Sequence, residues 1–178
     1  MSDAPAPKKF YGKYRGTVLL NVDPEFRGRL MCQVPDVLGV LPSNWCEACP
    51  PLAGPTGPPM GVYMVPPIGA GVWVEFEQGD PGRPIWSGCR FGTGDAPTLA
   101  LAGNPADPNI CIQSLLQHMV MISDMPPSPI TGGIILKSTT GAMIVVNDSG
   151  IYISNGKGAM ITMVGPIIVI IAPLPLEM

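Results

Sequence analysis

The chain has 178 residues, a net charge of −3, an isoelectric point of about 5.0 and a mean hydropathy of +0.31. Only 13% of it is charged and 46% is hydrophobic, with 23 Pro and 22 Gly spread along it. That apolar content excludes a disordered Pro/Gly-rich polymer, and the acidity argues against a phosphate-binding surface as the main function, which leaves a turn-rich, all-β chain with large buried surfaces.

The N-terminus, MSDAPAPKKF, has no apolar core of the kind a secretory signal needs, so synthesis in the cytoplasm without a signal peptide is expected. Residues 1–12 read as a polar arm. Lys13–Val22 and Arg29–Val34 read as two strands joined by a turn that Asp23-Pro24 opens and Gly28 closes. Pro35 to Pro59 is a long Pro/Gly-rich loop with Trp45 in its middle. Gly61–Val65 fits a weaker strand before Pro66-Pro67. Gly71–Glu77 alternates, placing Val72, Val74 and Phe76 on one face and Trp73, Glu75 and Glu77 on the other. Gln78 to Pro84 is a turn, and Ile85–Arg90 a further strand. Four or five short antiparallel strands in this space predict a small closed barrel over 13–92.

Residues 93–114 read as a linker, because Gly92 to Asn109 is rich in Gly, Pro and Asp. Ile110–Asp124 fits a helix through its apolar positions 112, 115, 116, 119 and 120, but the Met119/Met121 alternation favours a strand from about Leu115. From Gly132 on, apolar β-branched runs (Ile134–Leu136, Ala142–Val146, Ile151–Ile153, Ala159–Val164, Ile167–Ile171) are cut by Gly141, Gly150, Gly158 and Gly165. Asn155-Gly156 and Asp148-Ser149-Gly150 supply turn residues, so strand follows strand with no room for a helix. Between Ser138 and Leu176 only Asp148 and Lys157 are charged. Strands of this kind have two apolar faces to bury, which so short a segment cannot do alone; self-association is expected. The uncharged stretch Gly158 to Leu176 is broken by Gly165, Pro166, Pro173 and Pro175 and reads as strands, not a spanning helix.

Chemistry-bearing residues are sparse. Cys32, Cys46, Cys49, Cys89 and Cys111 are odd in number, which speaks against a disulfide framework. Cys46 and Cys49 have the gap of a zinc knuckle but lack a second pair, and Cys32 and Cys89 fall in predicted strands as small apolar fillers. The lone His118 has no nucleophile in a recognisable motif. Glu75 and Glu77 share a face with Trp73 and read as an exposed barrel face, not a hydrolytic pair. No catalytic residue, cofactor or metal is expected. Lys8, Lys9, Lys13 and Arg15, interleaved with Phe10, Tyr11 and Tyr14, read as a solvated arm or a docking contact.

The order of short motifs resembles a known family. Gly16, then Asn21-Val22-Asp23-Pro24-Glu25, Gly28-Arg29-Leu30 and Val34-Pro35 come first. Pro67-x-Gly69-x-Gly71-Val72-Trp73-Val74-x-Phe76 follows, then Gly79-Asp80-Pro81-x-Arg83-Pro84-Ile85-Trp86-x-Gly88. This looks like the OB-fold domain of contractile-tail spike proteins: the phage baseplate assembly protein V family and the VgrG spikes of type VI secretion. Gln117–Asp124 resembles the strand leading into the spike, and Gly141 to Pro166 its β-helical stem.

The resemblance implies an all-β protein: an N-terminal OB-fold barrel followed by an intertwined trimeric triangular β-helix, or β-prism, over 115–178. It implies a structural, non-enzymatic central spike, a homotrimer at the end of the tail tube that pierces the target cell envelope on sheath contraction. Its partners would be baseplate hub and tail-tube proteins in a virion tail baseplate or injection particle. Asp23, Pro24, Gly28, Arg29, Pro35, Gly69, Trp73, Gly79, Asp80, Pro84, Trp86 and Gly88 would be structural family positions. Gly141, Gly150, Gly156, Gly158 and Gly165 would be stem turns, and Ile167, Ile171, Pro173, Pro175 and Met178 would lie at the tip. Relatives that sharpen their own tip end in a His-x-His pair that holds iron; here no His follows His118. The stem is therefore expected to end bluntly, with a separate PAAR-type tip protein or its own apolar end. The rival reading of an OB fold, single-stranded nucleic-acid binding, is disfavoured by the acidity.

Overall fold

The computed structural model describes residues 8–55 and 57–172, which fall into two units divided between Gly94 and Asp95.

The first unit is built on β1 (Tyr14–Leu20), β2 (Met31–Gln33), β3 (Glu47–Ala48), β4 (Gly71–Phe76) and β5 (Pro84–Arg90), in the spatial order β2-β1-β4-β5-β3. It is an OB-like half-barrel. The alternation read from the sequence holds in β4: Val72, Val74 and Phe76 point inward, with Trp73 and Glu75 on the other face. They join Val18, Leu30, Cys32, Val34, Cys46 and Trp86 in one core. Gly16 faces the same core, and a Cβ there would come within 2.9 Å of a Val74 methyl. A glycine lets the strands close around branched side chains. Opposite Trp73 the register slips, so that Ser87 and Gly88 together face one residue. Such a bulge bends β5.

Two expectations are revised here. Gly61–Val65 is no strand; it is reduced to a single bridge, Ala53 with Gly61, plus Val62 N–H donating to the Leu52 carbonyl. Pro58, Pro59, Pro66 and Pro67 flank it and lack the N–H groups a ladder needs. The Pro35 to Pro59 loop is conversely more ordered than its composition implies. It holds a short helix α1 (Pro35–Leu38), with Pro35 at its first turn, and β3, which pairs with β5 in parallel.

The second unit is an antiparallel meander of β6 (Ile110–Gln113), β7 (Met119–Ser128), β8 (Thr131–Lys137), β9 (Met143–Asn147), β10 (Gly150–Ser154), β11 (Met160–Val164) and β12 (Ile167–Ile171), each paired with the next. The strand expected from about Leu115 starts elsewhere. Ile110–Gln113 already pairs with β7, and Ser114–His118 is the reversal between them, with Leu115 and Leu116 exposed. Gln117 there takes a positive φ of 65°, which neither helix nor strand continues. From β9 on, sequence-read and observed strands coincide within one residue, and β8 starts three residues before the run read for it.

Candidate trimerisation surface

The register of the meander decides what its two faces are. Residues paired across antiparallel strands share a face, and so do residues two apart along a strand. Ile112, Val120, Leu136, Ile144, Ile153, Ile161 and Ile170 lie opposite one another in turn through all the strands. Ile110, Ile122, Ile134, Val146, Ile151, Met163 and Ile168 form a second row beside them. One face is therefore two unbroken rows of aliphatic side chains, with no polar residue in either. Ile151 and Met163 are half-buried; the rest are exposed, from 36% at Ile161 to 71% at Ile170.

The opposite face carries the unit's own small core of Met119, Met121, Ile135, Val145 and Tyr152. It mixes in Gln113, Lys137, Ser154 and Thr162. The more apolar face is thus the one left open. β12 is exposed on both faces and, among the described residues, lies at the edge of the sheet, where no described strand pairs with its outer side. An uncharged edge strand of this composition is a template for association unless another chain covers it.

The turns hold this sheet in place. Gly156 has φ +71°, and a Cβ on it would meet backbone atoms of Thr140, Gly141 and Ala142 at 2.7–2.8 Å. The 138–142 and 154–159 turns are therefore packed backbone to backbone. Gly165, with φ +55°, takes the first position of a two-residue hairpin with Pro166, where a II′ turn places glycine. At the other end Asn147 donates through Nδ2 to the Ser128 and Thr131 carbonyls, while its Oδ1 accepts from Ser149 and Gly150. Gly141, Gly150 and Gly158 also have positive φ. Of the tip residues, Ile167 and Ile171 open and close β12; Pro173, Pro175 and Met178 lie outside the described residues.

Of the motif positions in the first unit, Asp23, Pro24, Gly28 and Arg29 lie in the β1–β2 turn, and Trp86 is bonded to it. The Asp23 carboxylate accepts from Glu25 N–H (3.0 Å), Arg27 N–H (2.8 Å) and Arg29 N–H (3.2 Å), and from Arg29 Nε (3.1 Å) and its terminal nitrogen (2.7 Å). The Arg29 side chain, aided by those N–H groups and opposed by burial, holds the Asp23 carboxyl well below the usual carboxylate range. Asp23 raises the Arg29 guanidinium above its ordinary value in return. Arg29 also lies over the Trp45 ring at 5.4 Å. Gly28, at φ +76°, turns its carbonyl to accept from Trp86 Nε1 at 3.0 Å, tying the turn to the core. Gly69 donates to the Val18 carbonyl, Gly79 accepts from Phe10 N–H, and the Asp80 carboxylate accepts from Gly82 N–H. Pro84 is fully buried at the start of β5, where a strand tolerates a missing N–H. Pro24 follows Asp23 on the surface.

The cysteines part company. Cys46 is buried and Cys49 exposed, so the pair does not converge. The neighbour of Cys32 in the core is Cys46, not the exposed Cys89; Cys46 and burial together push the Cys32 thiol up. No group of three potential metal ligands occurs among the described residues. Phe10, Tyr14 and Phe76 pack ring on ring, and Lys13 is paired with Glu75 at 2.9 Å. Those aromatics are engaged with one another, not spread as a stacking platform.

Two family models match the chain. Residues 109–171 match the phage baseplate V C-terminal trimerisation domain, and residues 14–91 match the type VI secretion system/phage-baseplate injector OB domain. The chain belongs to the phage baseplate V family. The match to the trimerisation domain covers every strand of the meander, so the open aliphatic face lies within the part that self-associates. A baseplate V chain is a structural, trimerising component of a phage tail baseplate. No curated protein sequence matches the chain, and no helix among the described residues is long and apolar enough to cross a membrane.

Proposed function

We propose that this chain is the central spike of a contractile injection machine, a homotrimer at the tube end that is driven through the target cell envelope when the sheath contracts. The observation that carries the reading is the two-row aliphatic face. Three copies that turn this face inward bury it, and cover the β12 edge, in a triangular prism over 115–178. Burial at ~25 cal/mol per Å2 of apolar surface supplies the rigidity a needle needs. The work is mechanical, with no catalytic step. The OB unit, 13–92, sits at the hub and tube proteins through the arm 1–12 and the loops; the segment 93–114 leads into the stem. The protein is assembled into a tail baseplate or injection particle. A PAAR-type protein or the chain's own apolar end forms the apex.

Static light scattering on the full chain tests this. A mass near three times 18.7 kDa is expected. A well-behaved monomer would sink both trimer and needle.

A further inference from the structure

We infer that neighbouring copies of the stem meet strand end against strand end, with Lys157 of one copy set against Asp148 of the next and all three copies pointing the same way. This rests on the three-copy reading above and adds to it which surfaces meet and in which direction.

Between Ile110 and Ile171 the acidic and basic residues other than His118 are Asp124, Lys137, Asp148 and Lys157. The register sorts them by sign. Lys137 closes β8 opposite Met119, which opens β7, and Lys157 lies in the turn from β10 to β11, so both lysines stand at one end of the strands. His118, just before β7, is at that end too. Asp148 lies in the turn from β9 to β10, and Asp124 follows Ser123, which faces Gly133 near the start of β8. Both carboxylates are therefore at the opposite end. Asp124, Asp148 and Lys157 are exposed and Lys137 is half-buried, and none of the four forms an ion pair among the described residues. Each of the two charged turns is held by an Asn side chain. Asn147 Oδ1 accepts from Ser149 and Gly150 N–H, and Asn155 Oδ1 accepts from Lys157 N–H at 2.8 Å and Ala159 N–H at 3.1 Å. Turns fixed in this way have little backbone freedom left to lose on association.

The aliphatic rows run across the strands, from Ile112 on β6 to Ile170 on β12. Three copies bury such rows along their whole length only around an axis parallel to them, and the strand ends then lie at the corners. Rotation about that axis sets one end of each copy beside the opposite end of the next, which is the contact between two different patches that a threefold ring requires. Lysine end meets carboxylate end at every corner. A copy turned end over end would set lysines against lysines and carboxylates against carboxylates, which like-charge repulsion disfavours. Lys157 stands one strand further along the stack than Asp148, and Lys137 on β8 one strand further than Asp124 on β7. A single displacement of the neighbour by one strand spacing, about 4.8 Å, therefore levels both pairs. Exposed ion pairs add little affinity. Their effect here is to select direction and register.

The test treats the full chain with a carbodiimide, which joins an amine to a carboxylate in contact with it. After light scattering has established the oligomeric state, the products are separated on a reducing, denaturing gel, and covalent dimers and trimers are digested for mass spectrometry. A link between Lys157 and Asp148 is expected, and its loss in Asp148→Asn. A trimer without that link overturns the inference and leaves the trimer standing; a monomer overturns both. Charge reversal is the second measurement. Asp148→Lys should raise the concentration at which half the trimer dissociates, and adding Lys157→Asp should bring it back down. A single variant that dissociates like the wild type, or a double variant no better than the single one, would refute the contact.

Discussion

At the scale of single residues the molecule concentrates its electrostatics in one place. Asp23 and Arg29 are both buried, and the carboxylate accepts hydrogen bonds from Arg29 and from three successive odd-numbered backbone positions. Because its folded pKa lies well below the unfolded value of about 3.9, the unfolded chain binds more protons between the two. Stability must therefore rise with pH across that window. The contribution is complete above about pH 5 and fades as pH falls through the folded value. Denaturant midpoints taken from pH 2 to 7 should show this acid limb in the wild type. Asp23→Asn should lower the midpoint at neutral pH and flatten the limb. An unchanged limb would mean that other carboxylates carry it. Asp23-Pro24 and Gly28 marked this turn in the sequence, since a turn opener and a positive-φ residue are local properties. The positive φ of Phe26, +54°, left no such mark, because its backbone is set through space by a carboxylate three residues away. The Cys32–Cys46 neighbourhood was hidden for a similar reason: it depends on how a Pro-rich loop returns to β2.

At the scale of elements the stem was largely legible, and its most important property was not. Glycines at Gly141, Gly150, Gly158 and Gly165 cut the tail into strands whose length and β-branching leave little choice. That both faces were apolar was also visible. What only the register reveals is that one face is aliphatic in every strand, while the other collects Lys137, Ser154, Thr162 and Gln113. The reversal at Ser114–His118 was misread because Leu115 and Leu116 are apolar yet exposed in the turn. The asymmetry of the faces yields a paired prediction. Ile144→Asp places a carboxylate in the middle of one aliphatic row, and in a trimer three such charges would be buried near one another at a cost of several kcal/mol each. Ile130→Asp puts the same charge on the exposed β7–β8 turn, away from both rows. By light scattering Ile144→Asp should lose the trimer mass and Ile130→Asp should keep it. Equal behaviour of the two would show that the rows are not the interface.

At the scale of the whole chain, the two units differ in how far they satisfy themselves. Among the described residues, the first gathers nine buried apolar side chains from strands and loop into one core, closed further by the Trp86–Gly28 bond. Among those of the second, five are buried, and more aliphatic side chains are exposed than covered. Below ~40–60 residues of well-buried chain, domains are marginal without added constraints, and the second unit reaches that state despite its greater length because a single meander covers only one of its faces. Cut between Gly94 and Asp95, the chain should behave as two different kinds of protein. Residues 1–94 should unfold as a monomer, with a midpoint independent of concentration. Residues 95–178 should be folded only when associated, so their midpoint should climb with concentration, as linkage to oligomerisation requires. Thermal melts of each fragment over a hundredfold concentration range decide this. A second fragment that melts at one temperature throughout, at monomer mass, would mean that the aliphatic face is stable in water by itself, and the need for three chains would disappear with it.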